Sequence, residues 1–351
     1  MRRTSAAAGL VAALVLAVVL ALHVQPGRPA RAASPPQPQS IELRSQALPL
    51  DPRSPSTQSV GALTYVWGAH LTAAGSSRFG GLSGLEAEPL RSGYAFTAVT
   101  DDGDMVRWTS PGAEPPSGPA VLRPLLDPAG RPPGSKPARD AEDIARDAGG
   151  YLVSFEQRHR VWRYPGEGVR AFGRAAQAAG FALPPTEGMA PNEGFEGLAV
   201  FSGPGPRRLA VGSEDGRVWS CTAQACSLIL EGAPEFGYRL TALEALEGTG
   251  DLVAVYRFFN PLTKGLRAII AYLPVEGGRA RIVPLARLSS PHPIDNMEAI
   301  AAVRQGDGWR LFLLSDDNFS PDQRTLMLAF DWRSKAKGPA SPPAPRQIRR
   351  R

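Results

Sequence analysis

The chain has 351 residues, of which 43% are hydrophobic and 7% are aromatic. Its 37 glycines and 35 prolines are too frequent for long uninterrupted helices, which excludes a helical bundle, a coiled coil and a polytopic membrane protein. The hydrophobic content excludes a disordered chain. The length allows either two average domains or one large all-β domain.

The first 32 residues have the pattern of a targeting segment. Arginines at positions 2 and 3 are followed by an uncharged apolar run of 17 residues, 6–22, and Ala30-Arg31-Ala32 supplies the small residues of a cleavage site. Because 17 residues is near the minimum for a bilayer span, an uncleaved anchor is the alternative. We favour a signal peptide over 1–32, no stable membrane span after its cleavage, and a periplasmic or secreted mature protein.

The formal net charge of +6 comes from the two ends of the chain. Residues 1–32 hold four arginines and residues 332–351 hold seven lysines or arginines, and neither segment contains an acidic residue. Residues 33–331 carry 28 basic and 33 acidic side chains, so the folded body is acidic. We interpret 333–351 as a flexible basic tail, and an exported acidic body argues against nucleic acid as a partner.

The central part of the chain contains a recurring five-residue pattern. Residues 33–60 are rich in Pro, Ser and Gln and are interpreted as a linker with one possible strand at 41–48. From there to residue 332 the pattern occurs five times, as GLSGL at 81–85, DAEDI at 140–144, GFEGL at 194–198, RLTAL at 239–243 and NMEAI at 296–300. Its fifth position is always Leu or Ile. Its third position is occupied in turn by Ser83, Glu142, Glu196, Thr241 and Glu298.

Each copy of the pattern precedes an apolar strand that ends in polar or charged residues. These strands are predicted at 95–100, 151–155, 209–213, 252–256 and 311–315. The acids at their ends are Asp101, Asp102, Glu156, Glu214, Asp215, Asp316 and Asp317, and Arg257 takes the corresponding place in the fourth unit.

These repeats predict an all-β fold, a single β-propeller of four-stranded blades over residues 61–332. A β-sandwich would also contain many short strands, but its strands would not fall into units that begin alike. The third unit shows its four strands at 197–201, 208–213, 217–221 and 226–230. The last unit shows three, and an N-terminal strand at 63–71 can supply the fourth and close the ring. We count five blades, with a sixth if the loops at 111–126 or 170–192 contain strands.

The only two cysteines, Cys221 and Cys226, lie at facing ends of two strand-like runs in the third unit. Opposed positions across a short hairpin can satisfy disulfide geometry, and export favours oxidation. We predict a Cys221–Cys226 disulfide; the alternative is a pair of small buried thiols.

Acidic residues at equivalent points of several blades predict a metal site. The innermost strands of a propeller line its channel, so Glu142, Glu196 and Glu298 are expected to converge at one mouth. Crowded carboxylates raise one another's pKa unless a cation neutralises them, and Ca²⁺ prefers oxygen ligands. The alternative for acids that precede a glycine, such as Asp102 and Asp215, is a turn-forming role.

At these residues the sequence resembles the phytase-like family described by its "esterase-like activity of phytase". The resemblance rests on the segments 79–85, 192–198, 295–300, 315–319 and 323–325 and extends over about residues 62–332. It implies an exported propeller with phosphoester or ester hydrolase activity. The D-A-x-D-D-P-A sequence of alkaline phytases is absent, its nearest counterpart being 140–143, and Tyr256 stands where the family often has an acid before Arg257.

Two functions follow as hypotheses. In the first, a hydrolase holds Ca²⁺ with Glu196, Asp295, Glu298 and Asp316, which polarises a small anionic or ester substrate. Arg257 steadies the anionic group, Glu142 acts as the base, and Glu298 also takes part in catalysis. In the second, a non-catalytic periplasmic propeller binds a ligand or a protein at its mouth. Fold alone does not distinguish them. We expect a monomer in either case.

Overall fold

The computed structural model describes residues 38–111, 114–187, 189, 193–201 and 206–333. The predicted signal peptide and the predicted tail from residue 334 onward lie outside the described residues. None of the helices within these ranges has both the length and the apolar character of a membrane-spanning segment.

The described residues fold almost entirely into antiparallel β-strands. Three strands precede the first blade: β1 (Gln39–Ala47), β2 (Ser59–Val60) and β3 (Leu63–Ala74). The first blade contains β4 (Leu82–Pro89), β5 (Tyr94–Thr100), β6 (Asp104–Ser110) and β7 (Gly118–Pro124). The second contains β8 (Ala141–Asp147), β9 (Gly150–Phe155), β10 (Arg160–Pro165) and β11 (Gln177–Ala178). The third contains β12 (Gly197–Phe201), β13 (Arg208–Gly212), β14 (Val218–Cys221) and β15 (Cys226–Leu230).

The last two blades complete the set. The fourth contains β16 (Arg239–Ala245), β17 (Leu252–Asn260), β18 (Gly265–Leu273) and β21 (Val283–Ser289), with a small hairpin of β19 (Val275–Glu276) and β20 (Arg279–Ala280) before β21. The fifth contains β22 (Asn296–Gln305), β23 (Gly308–Asp316), β24 (Leu326–Trp332) and the N-terminal β3. Helix α1 (Lys136–Arg139) precedes β8, and a 3-10 turn (Gly168–Ala171) precedes β11.

The five innermost strands, β4, β8, β12, β16 and β22, form a closed ring, in which each contacts the next and β22 contacts β4. The predicted five-bladed propeller is therefore confirmed. The loops proposed to hide a sixth blade instead supply β7 and β11, the outermost strands of the first and second blades.

The N-terminal strand closes the ring as predicted. β3 pairs with β24 and is the outermost strand of the fifth blade, with Leu326 opposite His70 and Leu328 opposite Gly68. β1, which lies in the predicted linker, pairs with both β3 and β7 and so joins the outer edges of the last and first blades. Two strand edges that would otherwise be exposed are thereby covered.

The fourth and fifth positions of the five-residue pattern each have a physical role in the fold. The fifth positions, Leu85, Ile144, Leu198, Leu243 and Ile300, are all at most 2% exposed and pack in the core. The fourth position is small in four copies because neighbouring inner strands approach closely there. A Cβ added to Gly84 would lie 2.7 Å from the Cα of Asp143, and one added to Gly197 would lie 2.6 Å from Leu243 Cγ.

Asp143 is the exception at the fourth position, and its carboxylate joins two blades. It accepts hydrogen bonds from the backbone N–H groups of Ile144 and Leu198, both at 2.8 Å. A buried carboxylate that accepts backbone N–H bonds satisfies donors that the sheet leaves free. Asp143 thus links the second blade to the third.

The second strands of the blades are mainly apolar because both of their faces pack against neighbouring blades. All residues of β5 and β9 are buried. Between the fifth and first blades, Phe96 packs edge-on against Phe312 with ring centroids 4.9 Å apart and stacks on Trp108 at 5.6 Å. In the third blade, Cys221 lies opposite Cys226 across the β14–β15 hairpin, and a disulfide joins them.

Candidate functional site

A β-bulge marks the third position of the pattern in four of the five inner strands. The pairing register shifts between Leu82 and Gly84, Ala141 and Ile144, Leu240 and Ala242, and Met297 and Ala299. In the third blade, Glu196 immediately precedes the first residue of β12. Bulges bend a strand and redirect a side chain, and they are frequent beside active sites. The bulge therefore points the third side chain of the pattern in a different direction from the one that regular strand alternation would give it.

Four of the third-position side chains meet at one mouth of the channel, in a cavity of about 680 Å³: Ser83, Glu142, Glu196 and Glu298. Ten carboxylates line it: Asp101, Asp140, Glu142, Glu156, Glu196, Glu214, Asp295, Glu298, Asp316 and Asp322. Three cationic side chains line it: Lys136, Arg257 and Lys264. All six residues predicted to act in catalysis or metal binding lie here, so the cavity brings the whole predicted set together.

The hydroxyl groups at the third position have structural partners. Ser83 Oγ donates to the carbonyl oxygen of Ala141 at 2.5 Å, which joins β4 to β8. Thr241 Oγ1 donates to the carbonyl oxygen of Met297 at 2.8 Å, which joins β16 to β22. These two blades use the position to hold inner strands together, while the other three place a carboxylate at the mouth.

The most compact acidic group is formed by Asp140, Glu142 and Glu156, which we call the blade-two triad. One carboxylate oxygen from each lies within 4.8 Å of the others, so the group can hold a metal ion. Asp140 ends helix α1, and its carbonyl oxygen accepts the backbone N–H of Glu156 at 2.9 Å. That bond places the residue before β8 beside the residue after β9.

The three acids of the triad differ in their hydrogen-bond and ion-pair partners. Asp140 accepts a hydrogen bond from Gln157 Nε2 at 2.6 Å and pairs with Lys136 Nζ at 2.5 Å. Glu142 and Glu156 have no side-chain hydrogen bond or ion pair among the described residues. Burial raises the pKa of Glu156 to about 7, and repulsion from Asp140 adds to the rise. Burial, followed by repulsion from Glu196 and Glu156, raises the pKa of Glu142 well above its usual value.

Glu196 extends this acidic wall from the third blade. Its side chain also lacks a hydrogen-bond or ion-pair partner within the described ranges. Burial raises its pKa well above the usual value, and repulsion from Glu298 and Glu156 contributes. A cation at the mouth would relieve these repulsions because it favours the charged form of every nearby carboxylate.

A second centre lies around Arg257 and Glu298. Arg257 Nη2 pairs with Glu298 Oε1 at 3.1 Å, and Arg257 Nη1 donates to Asn296 Oδ1. Arg257 Nε is buried and has no hydrogen-bond partner in the described part of the chain. Burial raises the pKa of Glu298 to about 7, against the opposing effect of Arg257. Arg257 does not end its strand as predicted, because β17 continues to Asn260.

Two of the predicted metal ligands are already engaged by the protein. Asp295 accepts the backbone N–H of Arg324 at 3.2 Å and lies 3.5 Å from its Nε. Asp316 accepts the backbone N–H of Asn318 at 2.7 Å, and burial raises its pKa to about 8. The compact triad therefore falls on other residues than the predicted ligands Glu196, Asp295, Glu298 and Asp316, and it includes Glu142, the predicted base.

Sequence reasoning did not name Asp140 and Glu156 as ligands, although both carried a signal. Asp140 occupies the first position of the second repeat, and Glu156 is one of the strand-end acids. Four of the seven strand-end acids line the cavity: Asp101, Glu156, Glu214 and Asp316. The other three hold local structure: Asp102 binds Arg139 Nε at 2.8 Å, Asp215 accepts from Ser213 Oγ at 2.5 Å, and Asp317 accepts the N–H of Gly81 at 2.9 Å.

Residues 77–319, most of the propeller, match the family model "Phytase-like: Esterase-like activity of phytase". The chain belongs to this phytase-like family. Membership in this family supports a hydrolase function for the chain. No curated protein shows significant sequence similarity to the chain.

Several solved structures resemble this phytase-like protein. A GH62 α-L-arabinofuranosidase catalytic domain of Coprinopsis cinerea is 11% identical and has a TM-score of 0.47, over 82% of this chain and 97% of that one. A thermostable family-43 glycoside hydrolase is 10% identical with a TM-score of 0.45, over 77% and 99%. The Malassezia sympodialis allergen Mala s 1 is 13% identical with a TM-score of 0.43, over 88% and 100%. Similarities at this level carry no argument about chemistry.

The family-like segments of this phytase-like chain meet where the ring closes. Gly80 and Gly81 have φ values of +152° and +59°, and Asp317 Oδ1 accepts the backbone N–H of Gly81. A Cβ on Gly81 would lie 2.2 Å from Asp101 Oδ1. The glycines therefore allow the segment before β4 to pass between acidic loops of the first and fifth blades.

Proposed function

We propose that the protein is an exported, metal-dependent hydrolase that cleaves an ester or phosphoester at the acidic mouth. The observation that carries the proposal is the blade-two triad, in which two of three adjacent carboxylates have no partner among the described residues. Two unit charges 4.8 Å apart repel by about 3.5 kcal/mol at an effective dielectric constant of about 20. A cation removes that cost.

Ca²⁺ is the proposed ion. The triad and the neighbouring Glu196 offer only carboxylate oxygens, and a hard divalent cation prefers such ligands. Asp140, Glu142 and Glu156 would hold it, with Glu196 within its field. When bound, the ion would supply polarisation of a carbonyl or phosphoryl oxygen.

Arg257 and Glu298 are the proposed catalytic residues of the chain itself. They belong to the fourth and fifth blades, and neither of these is adjacent to the second blade, so the triad and this pair lie on non-adjacent blades of the ring. Arg257 binds the anionic group of the substrate through the donors that Glu298 and Asn296 leave free. Glu298, whose pKa of about 7 suits proton transfer near neutrality, takes the proton of the attacking water. This revises the sequence-based role of Glu142 from base to ligand.

The proposal includes the setting of the reaction. The Cys221–Cys226 disulfide accords with a periplasmic or secreted protein. The partner is a small anionic or ester substrate rather than nucleic acid, since the lining of the mouth is predominantly acidic. We infer a monomer, whose mouth is complete within one chain.

One observation favours the second candidate, a propeller that binds a ligand without turnover. All three triad acids come from the second blade or the residue that precedes it, so a cation there could stabilise that blade alone. In that case Glu298 and Arg257 would form only a structural ion pair.

The deciding experiment measures hydrolysis of p-nitrophenyl phosphate and p-nitrophenyl acetate after EDTA treatment and again after addition of millimolar Ca²⁺. The hydrolase proposal requires turnover that Ca²⁺ restores and that Glu142→Gln abolishes. Glu276→Gln is the matched control, because Glu276 is exposed in β19, which follows the end of β18 remote from the mouth. Protein that binds Ca²⁺ but hydrolyses neither compound would support the binding propeller.

A further inference from the structure

The β17–β18 hairpin forms part of the wall of the mouth. Each of its strands has nine residues, compared with five in β12 and β13. Near the tip of the hairpin, Phe259 lies opposite Leu266, and the last pair is Asn260 with Gly265. Both Phe259 and Leu266 line the acidic cavity. They are the apolar part of a lining that is otherwise almost wholly polar or charged.

The alternation of side chains along β17 relates this apolar pair to Arg257. Phe258 turns away from the cavity and packs against Tyr238, with ring centroids 5.5 Å apart. Arg257 and Phe259 lie on the other face, and both line the cavity. Residues two apart on a strand are separated by roughly 6.6 Å. A guanidinium and an apolar surface therefore lie on the same face of β17, from residues two apart.

The fold does not use the exposed surface of these residues. Phe259 is 50% exposed, and Leu266 is partly exposed. Neither belongs to the described apolar clusters between the blades, whereas Phe258 packs against one of them. An apolar group that covers a half-exposed phenylalanine lowers the free energy, because apolar surface is removed from water.

We propose that Phe259 and Leu266 form an apolar subsite that binds the hydrocarbon part of the substrate. The substrate class is then an ester or phosphoester of an apolar group that carries at most one anionic centre. This inference rests on the proposed hydrolase function and narrows it. Charge supports the same class, because ten carboxylates outnumber three cationic side chains at the mouth even with one Ca²⁺ bound, which disfavours a polyphosphorylated compound.

The test uses p-nitrophenyl esters from acetate to octanoate with the Ca²⁺-loaded protein. We expect kcat/KM to rise about two- to fourfold for each added methylene group until the subsite is filled. Phe259→Ser and, independently, Leu266→Ser should flatten that dependence, and Phe259→Leu should retain it. Leu262→Ser is the control, because Leu262 is 93% exposed on the same hairpin and does not line the cavity.

Chain-length dependence that is absent from the native protein, or unchanged in both serine variants, would overturn the subsite. A binding measurement distinguishes failure of the subsite proposal from failure of the hydrolase proposal. Octyl phosphate should bind more tightly than ethyl phosphate by calorimetry, and Phe259→Ser should remove the difference. That outcome without turnover supports the subsite and rejects the hydrolase. Tighter binding of phytic acid than of octyl phosphate would reject the proposed substrate class.

Discussion

Replacing Glu142 with glutamine should change the stability of the protein in opposite directions with and without Ca²⁺. Without the ion, the native carboxylate is repelled by Glu156, Asp140 and Glu196 and has no partner in the described residues. At full ionisation each 4.8 Å pair costs about 3.5 kcal/mol at an effective dielectric constant of about 20. Protonation relieves part of this cost, so we expect Glu142→Gln to stabilise the metal-free protein by about 1–3 kcal/mol at pH 8.

The pH dependence has a defined sign. Glu142 and Glu156 have pKa values that are raised on folding, so their neutral forms favour the folded state. The resulting stability is present at low pH and is lost as pH rises from the unfolded value of 4.5 through about 7, the value for Glu156. The benefit of Glu142→Gln should therefore be small at pH 5 and should be larger at pH 8.

With Ca²⁺ the substitution removes one of the three proposed ligands. A cation present at 100 times its Kd stabilises the native protein by about 2.7 kcal/mol, and a weakened site loses most of that gain. The assay is urea unfolding at pH 5 and pH 8, in EDTA and in millimolar Ca²⁺, with NaCl matched for ionic strength. Glu276→Gln should behave as the native protein under all four conditions. If Glu142→Gln destabilises the protein in EDTA at pH 8, or leaves the Ca²⁺ gain intact, the reading of the triad is wrong.

Three further predictions address the site and the disulfide. Glu298→Gln keeps the shape of the side chain and should lower kcat by about 10²-fold or more, with loss of the rate increase around pH 7, while Ca²⁺ still raises stability. Arg257→Ala should reduce kcat/KM for phosphoesters far more than for neutral esters, because its guanidinium recognises charge; an equal loss for both would contradict that role. Thiol labelling of unfolded, unreduced protein should detect neither Cys221 nor Cys226, and stoichiometric labelling would exclude the disulfide.

The fold could be predicted from the sequence because each blade repeats the same local constraints. A leucine or isoleucine at the fifth position enters the core, a small residue at the fourth allows close approach, and the third leaves the strand at a bulge. Equivalent positions of equivalent blades meet on one side of a ring. From that rule alone, Glu142, Glu196 and Glu298 are expected at one mouth, and all three line the cavity there.

The partners of these acids could not be predicted in the same way. Whether Asp295 is free depends on Arg324, 29 residues away, and whether Glu298 is free depends on how Arg257 crosses between two blades. Such pairings are decided by differences of one or two ångströms among long side chains, and no periodicity records them. The adjacency of Asp140 and Glu156 likewise depends on a single backbone hydrogen bond.

The division of the described acids into paired and unpaired groups bears on whether the mouth binds an anionic ligand or only a stabilising cation. A cation that only stabilises the second blade needs no positive charge elsewhere at the mouth. Arg257 nevertheless lines the same cavity from the fourth blade, with a buried Nε that has no partner among the described residues. An anionic group placed between a cation on the triad and this guanidinium would satisfy both. The unpartnered carboxylates and the incompletely bonded guanidinium of the described residues are therefore better explained by a bound anionic ligand than by blade stability alone, and turnover then decides between hydrolase and binder.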